Sequence, residues 1–237
     1  MNMGDKTVVV TGAGKGIGAA IAVELDRRGF AVAGLSRSGT SAAGRAIRCD
    51  VTDEGRVREV FAEVADGGTI VGLVNNAGVY AHAPSATLET EDYEEIMRLN
   101  ATSQMIVSRE VYLHLVAAGG GRIVNIGSFY GKLGVAGNVA YCSSKAAVAA
   151  MTRCLAVEWA GDGITVVNVA PGYIATGMTE ETRADEKGRQ WLETSIPLAR
   201  AGRPQEVASL VGALMSEDLA FLTGETIHID GAHGLKL

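Results

Sequence analysis

Tyr141 and Lys145 stand four residues apart at the start of a run that reads as a helix. That spacing puts a phenol and an ammonium on one helical face, one turn apart. A phenol can act as a general acid or base, and a nearby cation favours its ionised form. Taken alone, a Tyr-x-x-x-Lys pair is weak, because such pairs arise by chance on helix surfaces. Its surroundings strengthen it. Ser128 lies thirteen positions earlier, just after an apolar run, and Asn100 lies in the helical stretch before that run.

A second group of residues suits an anion. Thr11-Gly12-Ala13-Gly14-Lys15-Gly16-Ile17-Gly18 follows a β-branched run near the start of the chain. Glycines there allow a tight turn and close approach of backbone to a pyrophosphate, and the helix that follows offers unpaired N–H groups and a partial positive charge. The spacing is TGxxxGxG and not GxGxxG, since position 17 is Ile. A tight turn without a ligand is the alternative, and the position after a buried strand argues against it.

About twenty residues beyond such a turn, an Asp or Glu ordinarily holds a ribose 2′-hydroxyl. Here Ser36 takes that place and Arg37 follows it. A guanidinium grips phosphate bidentately, and Lys15 adds a point charge from the glycine turn. The pair predicts NADP(H) in preference to NAD(H). Otherwise Arg37 is an ordinary solvated loop residue.

These residues need elements to position them. Apolar runs at Thr7–Val10, Ala31–Leu35, Ala46–Cys49, Ile70–Val74, Arg122–Ile126, Ile164–Val169 and Thr226–Ile229 read as strands. Helical spacing marks Ile17–Arg28, Asp53–Val64, Glu91–Ala117 with Thr90 as N-cap, Tyr141–Ala160 and Glu206–Met215. Regular alternation predicts an α/β fold: a single-domain, Rossmann-type doubly wound parallel sheet of about seven strands, with helices on both faces, over residues 1–237. Ligands then bind at the carboxyl ends of the strands, which is where the polar residues above fall.

Composition narrows the function classes. Glycine is the outlier, at 31 of 237 residues, about 13% against a usual level of about 7%. The formal net charge is −6 with no basic stripe, which speaks against nucleic acid and anionic membranes. The first ten residues contain Asp5 and Lys6 and do not read as a signal peptide, and no apolar run is long enough to span a bilayer. Cys49, Cys142 and Cys154 are scattered, so neither a metal nor a disulfide is expected, and a cytoplasmic setting is.

The ordered set of motifs resembles the short form, of roughly 250 residues, of the short-chain dehydrogenases/reductases. The likeness spans the whole chain: the glycine turn, Asp50 after strand three, Asn75-Asn76-Ala77-Gly78 after strand four, Asn100, Ser128, Tyr141, Lys145, Pro171-Gly172 with Thr176, and Phe221-Leu222-Thr223-Gly224-Glu225. Within the family it is most similar to 3-oxoacyl-[acyl-carrier-protein] reductases.

The resemblance implies reversible hydride transfer between a nicotinamide cofactor and a ketone or secondary alcohol. It implies a tetrad in which Tyr141 is the general acid or base, Ser128 bonds the substrate carbonyl, Lys145 holds the nicotinamide ribose, and Asn100 positions a water. Asp50 and Val51 would contact the adenine. Asn76, Ala77 and Gly78 would lie along the cofactor, and Ile174 and Thr176, after Pro171-Gly172, would hold its nicotinamide end. Lys145 would lower the Tyr141 pKa from about 10, the ammonium contributing about 4 kcal/mol at about 4 Å.

Those carrier-protein reductases usually carry basic residues where this chain has Gly119 and Asp162, so a free ketone, a sugar or another thioester stays open beside an acyl carrier. A non-catalytic NADP-sensing protein is the alternative from another class. The charged stretch Thr179–Arg189 reads as part of a mobile lid around 177–200, and Phe129, Tyr130, Tyr173, Met178 and Trp191 as pocket walls. Cys142 reads as small packing and His82 as a solvated loop residue. Family likeness implies a homodimer or homotetramer.

Overall fold

In a computed structural model that describes residues 6–216 and 218–235, seven strands form one parallel sheet. They are β1 (Lys6–Thr11), β2 (Ala31–Ser36), β3 (Arg45–Arg48), β4 (Thr69–Asn75), β5 (Gly121–Ile126), β6 (Ile164–Pro171) and β7 (Thr226–Ile229), in the order β3-β2-β1-β4-β5-β6-β7. The order reverses between β1 and β4, so the carboxyl ends of those strands diverge and open a crevice. Asp5, part of the amino-terminal reading, and the last two residues lie outside the described residues.

Each consecutive valine of β1 is fully buried, with Val9 facing one apolar layer and Val8 and Val10 the other. A strand covered on both faces has this continuous apolar character. On one face lie α2 (Glu54–Ala65), α4 (Ser103–Ala117) and α5 (Val139–Trp159), joined to the sheet through Phe61, Val111, Leu115 and Trp159. On the other lie α1 (Gly16–Arg27) and α8 (Pro204–Ser216), through Ile21, Leu25, Val207 and Val211. Asp53 caps α2, its carboxylate accepting from the Arg56 N–H at 3.0 Å.

Two expectations need correction. The helix read as Glu91–Ala117 is broken into α3 (Thr90–Met97), a π turn at Arg98–Thr102, and α4. The widened turn holds buried Asn100, whose side chain bonds outward to a neighbouring loop and to α5. Thr90 is the first helical residue and not the cap, because the Glu89 carbonyl already accepts the first helical bond, from Tyr93. The segment read as a charged lid around 177–200 folds into α6 (Glu180–Ala184) and α7 (Glu186–Ser195). Asp185 caps α7, and Leu192 and Ile196 anchor this region in the interior.

Among the described residues no helix is long and apolar enough to cross a membrane, and no cluster of three metal-ligating side chains occurs.

Candidate active site

The glycine turn is a tight loop locked to its neighbours. Gly12 has φ +68°, a conformation that side chains resist. Its N–H donates to the Leu35 carbonyl at 2.8 Å, tying the turn to the end of β2. Gly18 is needed for space: a Cβ there would sit 2.3 Å from both the Gly12 carbonyl oxygen and the Asn76 amide nitrogen. Asn76 closes the arrangement by donating to the Thr11 carbonyl at 2.9 Å and the Gly12 carbonyl at 3.3 Å. The Thr11 hydroxyl accepts from the N–H groups of Asn76 and Ala77.

Beside this turn runs a groove of about 360 Å³. It brings together Gly12, Gly14, Lys15, Ser36, Arg37, Asp50, Val51, Ala77 and Gly78 from the ends of four strands. Lys15 is exposed at the N-cap of α1 and forms no side-chain cap, which leaves the first helical N–H groups without a side-chain acceptor there.

The β2 end carries a hydroxyl cluster. Ser36 Oγ donates to the Thr40 carbonyl at 2.7 Å and accepts the Thr40 N–H at 2.9 Å, while Ser38 and Thr40 share a bond of 2.7 Å. Arg37 projects from this cluster, exposed, and no carboxylate among the described residues lies within ion-pair distance of it. Across the groove, the Thr52 N–H and hydroxyl bonded to Asp50 hold its carboxyl below the usual range, with Arg37 and Arg98 adding to the effect. Ser38 and Thr40 escaped notice in the sequence, although their alternation with Ser36 was its visible sign.

The remaining sequence-predicted residues lie outside that groove. Gly16 and Thr176 face each other across a separate cleft, with the Thr176 methyl 3.5 Å from the place of a Gly16 Cβ. Ile17 and Ile174 are packed into the apolar layer beside α1 and α8. Pro171 ends β6 buried, and Gly172 opens into a second pocket.

The tetrad residues converge between these cavities. Lys145 is buried, and its ammonium donates to the Ile126 carbonyl at 3.0 Å, two residues before Ser128. It sits 5.7 Å from the Tyr141 ring centroid. Ser128 and Tyr141 line the same pocket, where the Ser128 hydroxyl favours ionisation of the phenol, and Ser128 also caps a short 3-10 turn by accepting from the Tyr130 N–H at 3.2 Å. Asn100 Oδ1 accepts from the Val79 N–H at 2.8 Å; its amide donates to the Val79 carbonyl at 2.9 Å and to Ser144 Oγ at 3.1 Å. A Cβ at Gly78 would lie 3.0 Å from Asn100 Oδ1 and 3.7 Å from Lys145 Nζ, so the groove reaches this pair.

The expected fall of the Tyr141 pKa is not found. Burial pushes the phenol up to about 12, with the Ser128 hydroxyl pulling the other way. The same burial brings Lys145 down to about 8. The ammonium lies over the ring, 5.7 Å from its centroid, and donates to the Ile126 carbonyl, and burial of the phenol outweighs its pull. Near pH 7 this geometry keeps Tyr141 protonated and Lys145 cationic.

The second pocket, about 100 Å³, is lined by Ser128, Tyr141, Phe129, Tyr130, Gly172 and Tyr173, with Tyr80, Met178, Thr179 and Thr182 at its edge. Trp191 stands behind Tyr173, ring centroids 4.8 Å apart. Tyr80 was missed in the sequence because only its distance from Gly78 hints at it; in space its ring meets Tyr141 edge-on at 5.2 Å. Cys142 is half-buried and His82 exposed.

A family model described as enoyl-(acyl carrier protein) reductase matches residues 12–233. The 3-oxoacyl-[acyl-carrier-protein] reductase FabG of Vibrio cholerae is 37% identical over 98% of this chain and 98% of its own length. Among solved structures, a putative gluconate dehydrogenase from Agrobacterium tumefaciens superposes with a TM-score of 0.93 at 30% identity, covering 100% of this chain and 98% of that one. A gluconate 5-dehydrogenase from Burkholderia cenocepacia, in complex with NADP and tartrate, superposes at 0.92 with 31% identity, covering 99% and 96%.

Proposed function

The chain belongs to the short-chain dehydrogenase/reductase family and is an oxidoreductase acting on C=O and CH–OH groups; from that premise we propose that it reduces a ketone to a secondary alcohol with NADPH. The observation that carries the proposal is the meeting of Ser128, Tyr141 and Lys145 between a phosphate-suited groove and a small ring-lined pocket.

The groove fits a dinucleotide. Its glycine turn packs so closely against Thr40, Asn76 and its own Gly12 carbonyl that a Cβ at Gly14 or Gly18 would deform it, and the start of α1 offers it the first helical N–H groups. Gly12, Gly14, Lys15, Gly16, Ile17 and Gly18 would shape the pyrophosphate end, Asp50 and Val51 the adenine end, Asn76, Ala77 and Gly78 the middle. Pro171, Gly172, Ile174 and Thr176 would frame the nicotinamide end. Arg37, Lys15 and the hydroxyls of Ser36, Ser38 and Thr40 make a cationic, donor-rich corner suited to a 2′-phosphate. When bound, the reduced nicotinamide supplies a hydride.

This chain's own residues manage the carbonyl oxygen and its proton. Ser128 and Tyr141 hold the oxygen from one side by hydrogen bonds. As the carbonyl carbon gains two electrons, the C=O π pair moves onto oxygen, which takes the Tyr141 proton. A phenol held protonated to about pH 12 is in the correct state to donate. Lys145 stabilises the tyrosinate left behind, and Asn100, held by Val79 and Ser144, would position a water beside Lys145. The segment 177–200 acts as a lid, carrying Met178, Thr179 and Thr182 at the pocket edge.

A 3-oxoacyl thioester is the second substrate reading, favoured by the Vibrio cholerae relative. Against the carrier-bound form, Asp162 stands exposed, accepting from the Tyr112 hydroxyl at 2.9 Å, where an acidic carrier would meet repulsion. We further propose association through the exposed apolar residues Leu113 on α4 and Val157 on α5 as a homodimer or homotetramer. An NADPH-consumption screen over carbonyl classes tests the function: turnover of ketones with NADPH is expected, and its absence across free and carrier-bound ketones contradicts it.

A further inference from the structure

Resting on the reductase reading, we infer that the substrate is a compact, uncharged ketone whose body is an aromatic or alicyclic ring. Three observations carry this. First, among the described residues no lysine, arginine, aspartate or glutamate lines the pocket; its polar groups are hydroxyls and one glycine backbone. A carboxylate or phosphate entering it would lose water and gain no counter-ion, which is strongly unfavourable in a partly buried site.

Second, the walls are rings that meet at edges. Tyr130 and Tyr141 are T-shaped at 6.0 Å, and Phe129 and Tyr173 at 6.0 Å. Behind them Trp191 and His233 brace Tyr173, at 4.8 and 5.8 Å. The walls are therefore rigid faces and edges of alternating partial charge, which a planar guest matches by offset or edge contacts. Third, the space is small. About 100 Å³ is less than the ~150 Å³ of an apolar cavity that holds benzene, so the pocket takes no body larger than a single ring, whose remainder reaches its open mouth.

The pocket also has one polar handle away from the tetrad. Tyr130 and Tyr173 hydroxyls lie 2.9 Å apart, so one donates to the other and a single O–H is left to reach a second oxygen of the guest. The neighbouring cations do not alter the charge argument: Lys145 is spent on the Ile126 carbonyl, and Arg183 donates to the Thr176 carbonyl at 3.1 Å.

The test compares kcat/KM with NADPH for acetophenone, 4-acetylbenzoate, 5-ketogluconate, 2-octanone and a carrier-bound 3-oxoacyl thioester, together with binding of the first two by ligand-observed NMR. Acetophenone is expected to exceed each of the others at least tenfold, and to bind while 4-acetylbenzoate does not. The exposed pocket-edge variant Met178→Arg should raise kcat/KM for 4-acetylbenzoate at least tenfold relative to acetophenone, a gain that an unfolded variant cannot give. Tyr173→Leu should weaken acetophenone binding. Turnover in which a charged, linear or carrier-bound substrate equals acetophenone overturns this inference and leaves the reductase reading standing. Selective acetophenone binding, lost in Tyr173→Leu, with no turnover of any probe overturns the reductase reading alone. Neither selective binding nor turnover overturns both.

Discussion

The groove from Gly12 to Val79 and the pocket between Phe129 and Tyr173 meet around Tyr141 and Lys145, yet different parts of the chain build them. The groove is made of backbone: strand ends, a glycine turn at positive φ, and a helix N-terminus. Its shape follows from local sequence, and one added methyl group would destroy it. The pocket is made of side chains brought in from four separate places: Tyr80, the 3-10 turn at Phe129–Lys132, α5 and the segment after β6. Its shape depends on how those rings lean on one another. Backbone architecture can serve a common cofactor, while ring packing can drift toward a particular substrate.

Loss of the buried cation between the two cavities should break both. Lys145→Met removes the buried ammonium and is expected to lower kcat/KM about 10³-fold, with weaker NADPH binding as well. A variant of the groove alone comes next. Gly18→Ala places a Cβ 2.3 Å from the Gly12 carbonyl and should weaken NADPH about 10²-fold by titration. The ring pocket should survive, so binding of an uncharged ring ketone should change little.

Arg37→Ala acts more narrowly still. It should cost about 2 kcal/mol with NADPH, roughly 30-fold in kcat/KM, and leave NADH kinetics within twofold. An equal loss with both cofactors would assign Arg37 to the solvated loop. Smallest is the pH effect. Lys145 loses its proton at about pH 8 in this site, so kcat/KM for reduction should be level below that and halve near it as pH rises. Tyr141 stays protonated until about pH 12 and contributes nothing to that fall.

The same contrast explains what could be read from the chain. The seven strands and their alternation with helices were legible because both faces of the sheet are covered, leaving continuous apolar runs such as Val8–Val10. The glycine turn and the Tyr141–Lys145 spacing were legible because local geometry places them. The π turn at Arg98–Thr102 was not, since periodicity continues through it and its cause is tertiary: Asn100 bonds Val79 and Ser144. Helices α6 and α7 were hidden by their charge, and Leu192 and Ile196 are the buried apolar residues that fasten them. The direction of the Tyr141 shift was also beyond reach, because spacing reports that Lys145 is near but not how deeply the phenol is buried or what the ammonium bonds.

The account stands on Tyr141 as the group that passes a proton at the boundary of the two cavities. Tyr141→Phe keeps the ring, its edge contacts with Tyr80 and Tyr130, and the groove, and removes only the hydroxyl. Measuring ketone turnover and NADPH affinity on that one variant is the direct test. Turnover should fall about 10³-fold or more while the NADPH Kd stays within twofold. Turnover within tenfold of the unaltered protein would contradict the account.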